Sequence, residues 1–528
     1  ISGNGALNIG ALFTEVFGIS SPIYLPWGRE LKDYEPGDYR GVTFVDESQA
    51  EAYSWMGTPV IGTFTLDGCE KYKTYKSNGS PATVNLASFL IPYATVVSFS
   101  RPMNVSKTKV LGTYGTVKEI YGLDDWNIMI QGFCIEDRKR QGYRTVAEQV
   151  NALCKFRKVT EAIGVTGSIF NDKEIYAILI EELNFNPVQG NSSGMPFTIR
   201  AKPAVMSYMM CARITFPETD KRGGFRTFLV SSVRIESSWK LLTDTAEIVL
   251  PRKMSHYEGK NLADILRAGD RVMIELGYDG NWVTEFEGYI LSVSRGIPIT
   301  VKCEDEMYRL KRKTVSYSKK SVTLGQLLKD VAQGYEVKTS FGDTELGAVR
   351  YAQKRVSEIF DDLQELGFYT YFIGKTLYCG DVYSDKTELP EVRIELEREA
   401  VSQDLNETDG EYEVIATAML GKGRKLEAKA GVPGAETFKI RYSDKDMRIT
   451  PETLGDFARR FYERLKKQRY KGGVELFGTP SVTHGMILEL SSVITPEMSG
   501  RYFIEKVTKE FSDNATYRQK LELGGRAE

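Results

Sequence analysis

The sequence predicts a mainly β protein, β with a few packed α-helices, and three observations carry that expectation. Its 528 residues include 29 Tyr, 25 Phe and 48 Gly, set among many short runs of Val, Ile and Thr, which is the composition of pleated strands divided by turns. Several runs alternate with a period of two. In "MILEL", Met486, Leu488 and Leu490 face one way while Ile487 and Glu489 face the other. In "YRQKLEL", Tyr517, Leu521 and Leu523 oppose Arg518, Lys520 and Glu522, so one face is packed and the other is wet or meets a polar partner. Helical periodicity, by contrast, is confined to four segments.

The first helix is expected within 143–163, where Val146, Val150, Leu153, Phe156, Val159 and Ile163 recur at steps of three and four. "TLGQLLKDVA", after Ser321 to Thr323, is the second. "RVSEIFDDLQELG" is the third, with Val356, Ile359, Phe360, Leu363 and Leu366 on one side and a stop at Gly367. A fourth opens on Thr450 with Pro451 at its first position and runs through Leu454, Phe457, Phe461 and Leu465. Each reads as a helix lying against a sheet. "FYTYFIGKTLYCG" reads as a hairpin turning on Gly374 and Lys375.

Length bounds the organisation at roughly three or four domains. A boundary is expected at Met206, where a strand-like end meets a methionine-rich restart, either an ordinary linker or the start of a second reading frame. An acidic connector is expected over 380–410, and an exposed loop over 430–437. With 69 Lys and Arg against 71 Asp and Glu, bulk electrostatics selects neither free nucleic acid nor anionic membrane. No apolar run approaches the ~18 residues of a membrane span, and the first residues lack the parts of a secretory signal. The six cysteines (Cys69, Cys134, Cys154, Cys211, Cys303, Cys379) form no CxxC pair, and each is expected to be a small buried apolar residue.

The search for chemistry returns little. His256 and His484 are the only histidines, and neither stands in a catalytic context, so both read as surface or turn residues. "CEDEM" (303–307) is the densest acidic cluster after a strand, and it reads as a turn leaving the sheet edge, since consecutive acids on a strand point to opposite faces. The basic runs 136–144 and 309–320 read as solvated faces or subunit contacts. Trp126, Trp239 and Trp282 raise a carbohydrate-binding reading, against which stands the commoner role of tryptophan in a core or interface. No catalytic, metal or cofactor set emerges, and no cofactor is expected.

From residue 207 onward the order of motifs resembles the baseplate hub family of contractile tails, the late control protein D and type VI spike hub group. The resemblance rests on "RAGDRVMIELGYDGNWVTEFEGYI", "ITVKCEDEMYRLKR", "TLGQLLKDVA", "VSEIFDDLQELGFYTYFIGKTLYC" and the ending "GTPSVTHGMILEL" with "GRYFIEKVTKEFSDNATYRQKLEL". Residues ~90–205 resemble a tail-tube or tube-initiator protein, with "VVSFSRPMNVSKTKVLGTYGTVKEIYGLDDWNIMIQGFC" and "IYAILIEELNFNPVQGNSSGMPFTIRA".

The resemblance implies several small antiparallel tail-tube-like barrels plus an α+β insertion. It places an unassigned segment at 1–89, a tube-like barrel at 90–205, hub barrels at 207–316 and 390–528, and a helix-hairpin region at 317–389. It further implies a structural hub or tail-tube adaptor of a phage or related injection system, assembled in the bacterial cytoplasm. The implied partners are two further copies in a trimer, the central spike, the tail tube and other baseplate proteins, with DNA or an effector as passing cargo. A tail-associated cell-wall hydrolase and a carbohydrate-binding β protein are the alternatives.

Overall fold

The computed structural model describes residues 63–92, 95–109, 116–137, 142–186, 194–204, 207–251, 262–339, 341–380, 391–407, 411–419, 425–443, 450–467 and 470–527. Met206, His256 and residues 381–390 and 408–410 of the acidic connector therefore lie outside the described residues. The chain divides into two compact units between Met209 and Met210.

The first unit is a seven-stranded antiparallel sheet. Its order is Phe89–Leu90, Thr65–Leu66, Ile163–Thr166, Ala177–Phe185, Gly194–Pro203, Asn127–Ile135 and Thr95–Ser100. Helix α1 (Val146–Arg157) starts where Thr145 and Glu148 form a capping box, which satisfies two of the otherwise orphaned backbone donors. Its buried side turns Ala152, Leu153 and Phe156 into the core. Gln149 is buried with them, and its Nε2 donates to the carbonyls of Ile135 (2.7 Å) and Tyr143 (3.1 Å). The helix stops before Ile163, which opens a strand instead. Phe64, Leu66, Tyr72, Leu86 and Phe89, from the segment that sequence left unassigned, belong to this same core.

In the second unit, strands from both expected hub barrels join in a single thirteen-stranded sheet. The first lobe contributes β1 (Met210–Phe216), β2 (Ser232–Ser238), β3 (Thr245–Leu250), β4 (Arg271–Tyr278), β5 (Asn281–Val293) and β6 (Ile299–Glu304). The second contributes β7 (Val392–Glu395), β8 (Ala400–Gln403), β9 (Gly473–Phe477), β10 (Ile487–Ser491), β11 (Gly500–Ser512) and β12 (Thr516–Arg526). Spatially the lobes read β1-β4-β5-β6-β3-β2 and β7-β10-β11-β12-β9-β8. These are the same topology twice.

The register repeats as well. A bulge falls between Ile290 and Ser292 where β5 meets β6, and another between Ile504 and Lys506 where β11 meets β12. Ile290 and Ile504 are buried opposite buried Cys303 and Leu523, and two positions earlier on the same strands buried Val301 and Leu521 pair with buried Ile248 and Val474. One difference is clear: β1 runs antiparallel to β4, whereas β7 runs parallel to β10.

Between the lobes lie α2 (Leu324–Val331), α3 (Val356–Glu365), the paired strands Thr314–Thr323 and Glu345–Arg355, and the hairpin Tyr369–Ile373 with Thr376–Gly380. Thr323 caps α2, and Gly367 ends α3 with a left-handed φ of 88°. The hairpin turns at Gly374 with φ 60°, a conformation that favours glycine. The strands Tyr412–Met419, Lys425–Gly431 and Glu436–Ser443 and helix α4 (Pro451–Lys467), expected within the second barrel, pack elsewhere. Val414, Ala416 and Ala418 of their three-stranded sheet share one core with α2 and α3, together with Leu454, Phe457 and Ala458 of α4. The apolar stripe of α4 is covered by this shared core, which the lobe sheet does not supply.

Candidate functional site

Three of the groups that sequence raised for chemistry, Trp239, His484 and Asp305, meet at the loop between β2 and β3, at a three-way junction of the two lobes and the helix-hairpin region. Trp239 is fully buried there and meets Tyr369 edge-on at 4.7 Å. Lys240 forms an ion pair with Glu505 of β11, and its carbonyl accepts from Gln364 Nε2 of α3 at 3.0 Å. His484 reaches the same loop from the second lobe.

His484, expected as a surface or turn residue, lies at the turn but not on the surface. Its side chain is 1% exposed, Nε2 lies 3.3 Å from Asp244 Oδ2, and its ring stands edge-on to Tyr371 at 5.2 Å. No hydrogen-bond partner reaches Nδ1 among the described residues. The turn itself is as expected: Gly485 adopts φ 82° and its N–H donates to Ile504 O at 2.9 Å, so the chain re-enters the sheet at Met486. Gly478 is glycine because a Cβ there would overlap the ring of Tyr517.

The acids of 303–307 do not leave the sheet edge. Glu304, Asp305 and Glu306 are all buried, each in its own contact. Glu304 pairs with Lys311 at 2.9 Å. Asp305 accepts from the backbone N–H of Met307 at 3.0 Å and of Asp244 at 3.3 Å. Burial, and then the negative charge of Asp244, hold its carboxyl pKa well above the usual carboxylate range. Glu306 accepts from Tyr335 at 2.9 Å and from Tyr289 at 3.3 Å, and burial raises the pKa of both phenols. Beside it is a cleft of about 630 Å³ lined by Arg271, Arg309, Lys313 and Lys375.

A second ionic cluster pins one lobe to the other. Glu285 of β5 and Lys509 of β11 form an ion pair with side chains 2% and 6% exposed. Ser481 Oγ donates to Glu285 at 2.8 Å and Tyr517 donates at 2.9 Å, while Lys509 donates to Ser481 at 2.8 Å. Burial pulls the Lys509 pKa down against the pull of Glu285. Sequence reading passed over this cluster, although Lys509 stands between Val507 and Phe511 on the apolar side of an alternating strand. A charge in that phase is the signal.

Of the tryptophans, Trp239 is core. Trp126 and Trp282 are half-buried, beneath Arg101 at 5.4 Å and Arg213 at 4.5 Å. Cys69 is exposed, against expectation, while Cys134, Cys211, Cys303 and Cys379 are buried. Among the described residues no three His, Cys, Asp or Glu side chains gather as a metal set, and no helix is long and apolar enough to cross a membrane.

A family model described as a domain of unknown function (DUF6046) matches residues 90–207. No curated protein matches the chain. Among solved structures the chain is similar to the tail protein from Neisseria meningitidis MC58, at 14% identity over 60% of this chain and 97% of that one, with a TM-score of 0.44. It is also similar to the 43 kDa tail protein of prophage MuSo2 from Shewanella oneidensis, at 12% identity over 61% and 100%, with a TM-score of 0.43. A third is an E. coli component of the type VI secretion system, described as similar to the T4 bacteriophage tail proteins gp27 and gp5. There the identity is 10% over 66% and 78%, and the TM-score 0.37. The similar solved structures are thus tail and secretion-spike proteins, and this chain is itself mostly β.

Proposed function

We propose that this chain is a structural hub and tube adaptor of a contractile tail or related injection particle, joining the tail tube to the central spike and lining the channel between them. The observation that carries the reading is the repeated lobe. Two copies of one six-stranded topology, continuous in one sheet, give each chain two equivalent positions in a ring, so three chains present six lobes. That number suits a sixfold tube on one side, and the threefold set of helix-hairpin insertions suits a trimeric spike on the other. The motifs quoted for the hub resemblance fall on β4 and β5, on α2, on α3 with its hairpin, and on β10 to β12. Residues ~90–205, which carry α1 and most strands of the first unit's sheet, supply the tube-like part.

In this reading the buried groups position surfaces and do no chemistry. His484–Asp244 and Glu285–Lys509 fix how the lobes meet. The test is the solution mass of the full chain by light scattering, with electron microscopy of the particles. A trimer forming a closed ring is expected. A chain that stays monomeric at concentrations where obligate oligomers assemble overturns the reading.

A further inference from the structure

The basic run 309–320 sorts into two kinds of residue once the chain is folded. Lys311 pairs with Glu304 at 2.9 Å, Lys319 pairs with Asp330 at 2.7 Å, and the Arg312 guanidinium lies 3.5 Å from the centre of the Tyr308 ring. Arg309 and Lys313 instead line the cleft of about 630 Å³ beside Glu306. Arg271 of β4 and Lys375 of the hairpin turn line it too, so four cations meet two carboxylates, Glu306 and Glu336. In a chain of net charge -2 that local surplus does not come from composition.

Both carboxylates are already engaged. Glu306 accepts from Tyr335 at 2.9 Å and from Tyr289 at 3.3 Å, and the cation within ion-pairing distance of it is Arg271, at 3.9 Å. Glu336 accepts from Thr376 Oγ1 at 3.2 Å. Among the described residues no carboxylate comes within ion-pairing distance of Arg309, Lys313 or Lys375. Arg271 and Arg309 lie 5.8 and 5.9 Å from the centre of one ring, Tyr289, so two like charges are held about the same ring with one carboxylate to offset them. The charge that would complete the cleft is negative.

Helix α2 constrains what carries it. Gln333 and Gly334, which line the cleft, stand just beyond its last residue Val331, whose carbonyl accepts from Lys313 Nζ at 3.1 Å. The C-terminal end of a helix carries partial negative charge, and with buried Glu306 it disfavours a compact dianion such as phosphate. Single charges spaced along a chain suit cations drawn from separate elements. The rings of Tyr289 and Tyr335 give the stretch between those charges an apolar surface to lie on.

We infer that this cleft binds an acidic peptide segment of a partner protein, its carboxylates taken by Arg309, Lys313 and Lys375 while Arg271 stays with Glu306. Guanidinium and ammonium groups hold carboxylates through charge-assisted hydrogen bonds. The site stands whether or not the chain forms a ring, and so goes beyond the hub reading.

The test is fluorescence anisotropy of fluorescein-labelled hexaglutamate titrated with the full chain at low salt. Saturable binding is expected, weakened about tenfold or more by Arg309→Gln and by Lys375→Gln. Lys302→Gln, which removes an exposed cation of β6 outside the cleft, should leave it unchanged. Failure of hexaglutamate to bind, or equal weakening by all three substitutions, overturns the inference. Displacement of the labelled peptide by pyrophosphate or by oligodeoxythymidylate at lower concentration than by unlabelled hexaglutamate also overturns it, and assigns the cleft to phosphate groups. The altered side chains are exposed. Should a variant nonetheless misfold, acetic anhydride labelling of the unaltered chain, read by mass spectrometry, decides. Hexaglutamate should slow acetylation of Lys313 and Lys375 and not of Lys302, and equal rates with and without peptide overturn the inference.

Discussion

Lys509 and Glu285 show how a charge pair can specify an arrangement at little net gain in stability. Both side chains are nearly dehydrated, so removing one partner leaves the other buried and unpaired, at a cost of about 3–5 kcal/mol. Glu285→Gln and Lys509→Met are each expected to destabilise by about that amount in urea titration, and the double replacement Glu285→Met with Lys509→Met to recover most of it. Asp305 makes a pH-dependent contribution. Its carboxyl pKa is raised in the folded chain, so the native state holds a proton that the unfolded state has released. Stability from this group is full below the unfolded value near about 3.9 and declines as pH rises. Asp305→Asn, which keeps the acceptor for Met307, should flatten the fall in urea midpoint as pH rises above about 4. His484 and Gly485 form a further comparison. Truncating a buried imidazole to Ala should cost about 2–3 kcal/mol, while Gly485→Val must force a β-branched residue into φ 82°, at about 1–2 kcal/mol. The burial of His484 therefore makes its loss at least as damaging as that of the glycine, which urea midpoints of the two variants will rank.

At the scale of elements, three helices were legible because each carries its own start or stop. Thr323, Gly367 and Thr450 with Pro451 are local signals, and three helices form where they lie. The first helix is predicted by periodicity alone, which carries it past its end at Arg157 to Ile163, while its capping box of Thr145 with Glu148 was passed over. The hairpin at Gly374 was legible for the same reason. The environment of His484 was not, because its partner Asp244 is 240 positions away and no periodicity encodes a contact at that range. The packing of α4 was hidden similarly: its stripe announces a covered face without saying by what. The segment Ser492–Thr495 carries its own device. The Glu397 carboxylate accepts from Ser492 Oγ, from Val493 N at 3.2 Å and from Ile494 N at 3.1 Å, contacts that lower its pKa to about 2. This holds Val493 and Ile494 outward, 76% and 78% exposed. Glu397→Gln should speed amide exchange at both residues. In the wild type the same loosening should be absent at mildly acidic pH and appear only as pH falls toward about 2.

For the whole second unit, a continuous sheet and an ion pair span both lobes, and the first lobe has no complete core of its own. Phe511 and Tyr517 of the second lobe already belong to the core of the first. Calorimetry should therefore show the two lobes melting in one transition, displaced as a whole by Glu285→Gln; separate lobe transitions would contradict the shared core. The β2–β11 junction also sets the order in which the first lobe can be finished. Arg234 of β2 meets Glu510 of β11 only 276 positions later along the chain, and Phe511 and Tyr517 complete the first lobe's core, so during synthesis that lobe waits, with an open edge and an unfilled core, until β11 and β12 have been made.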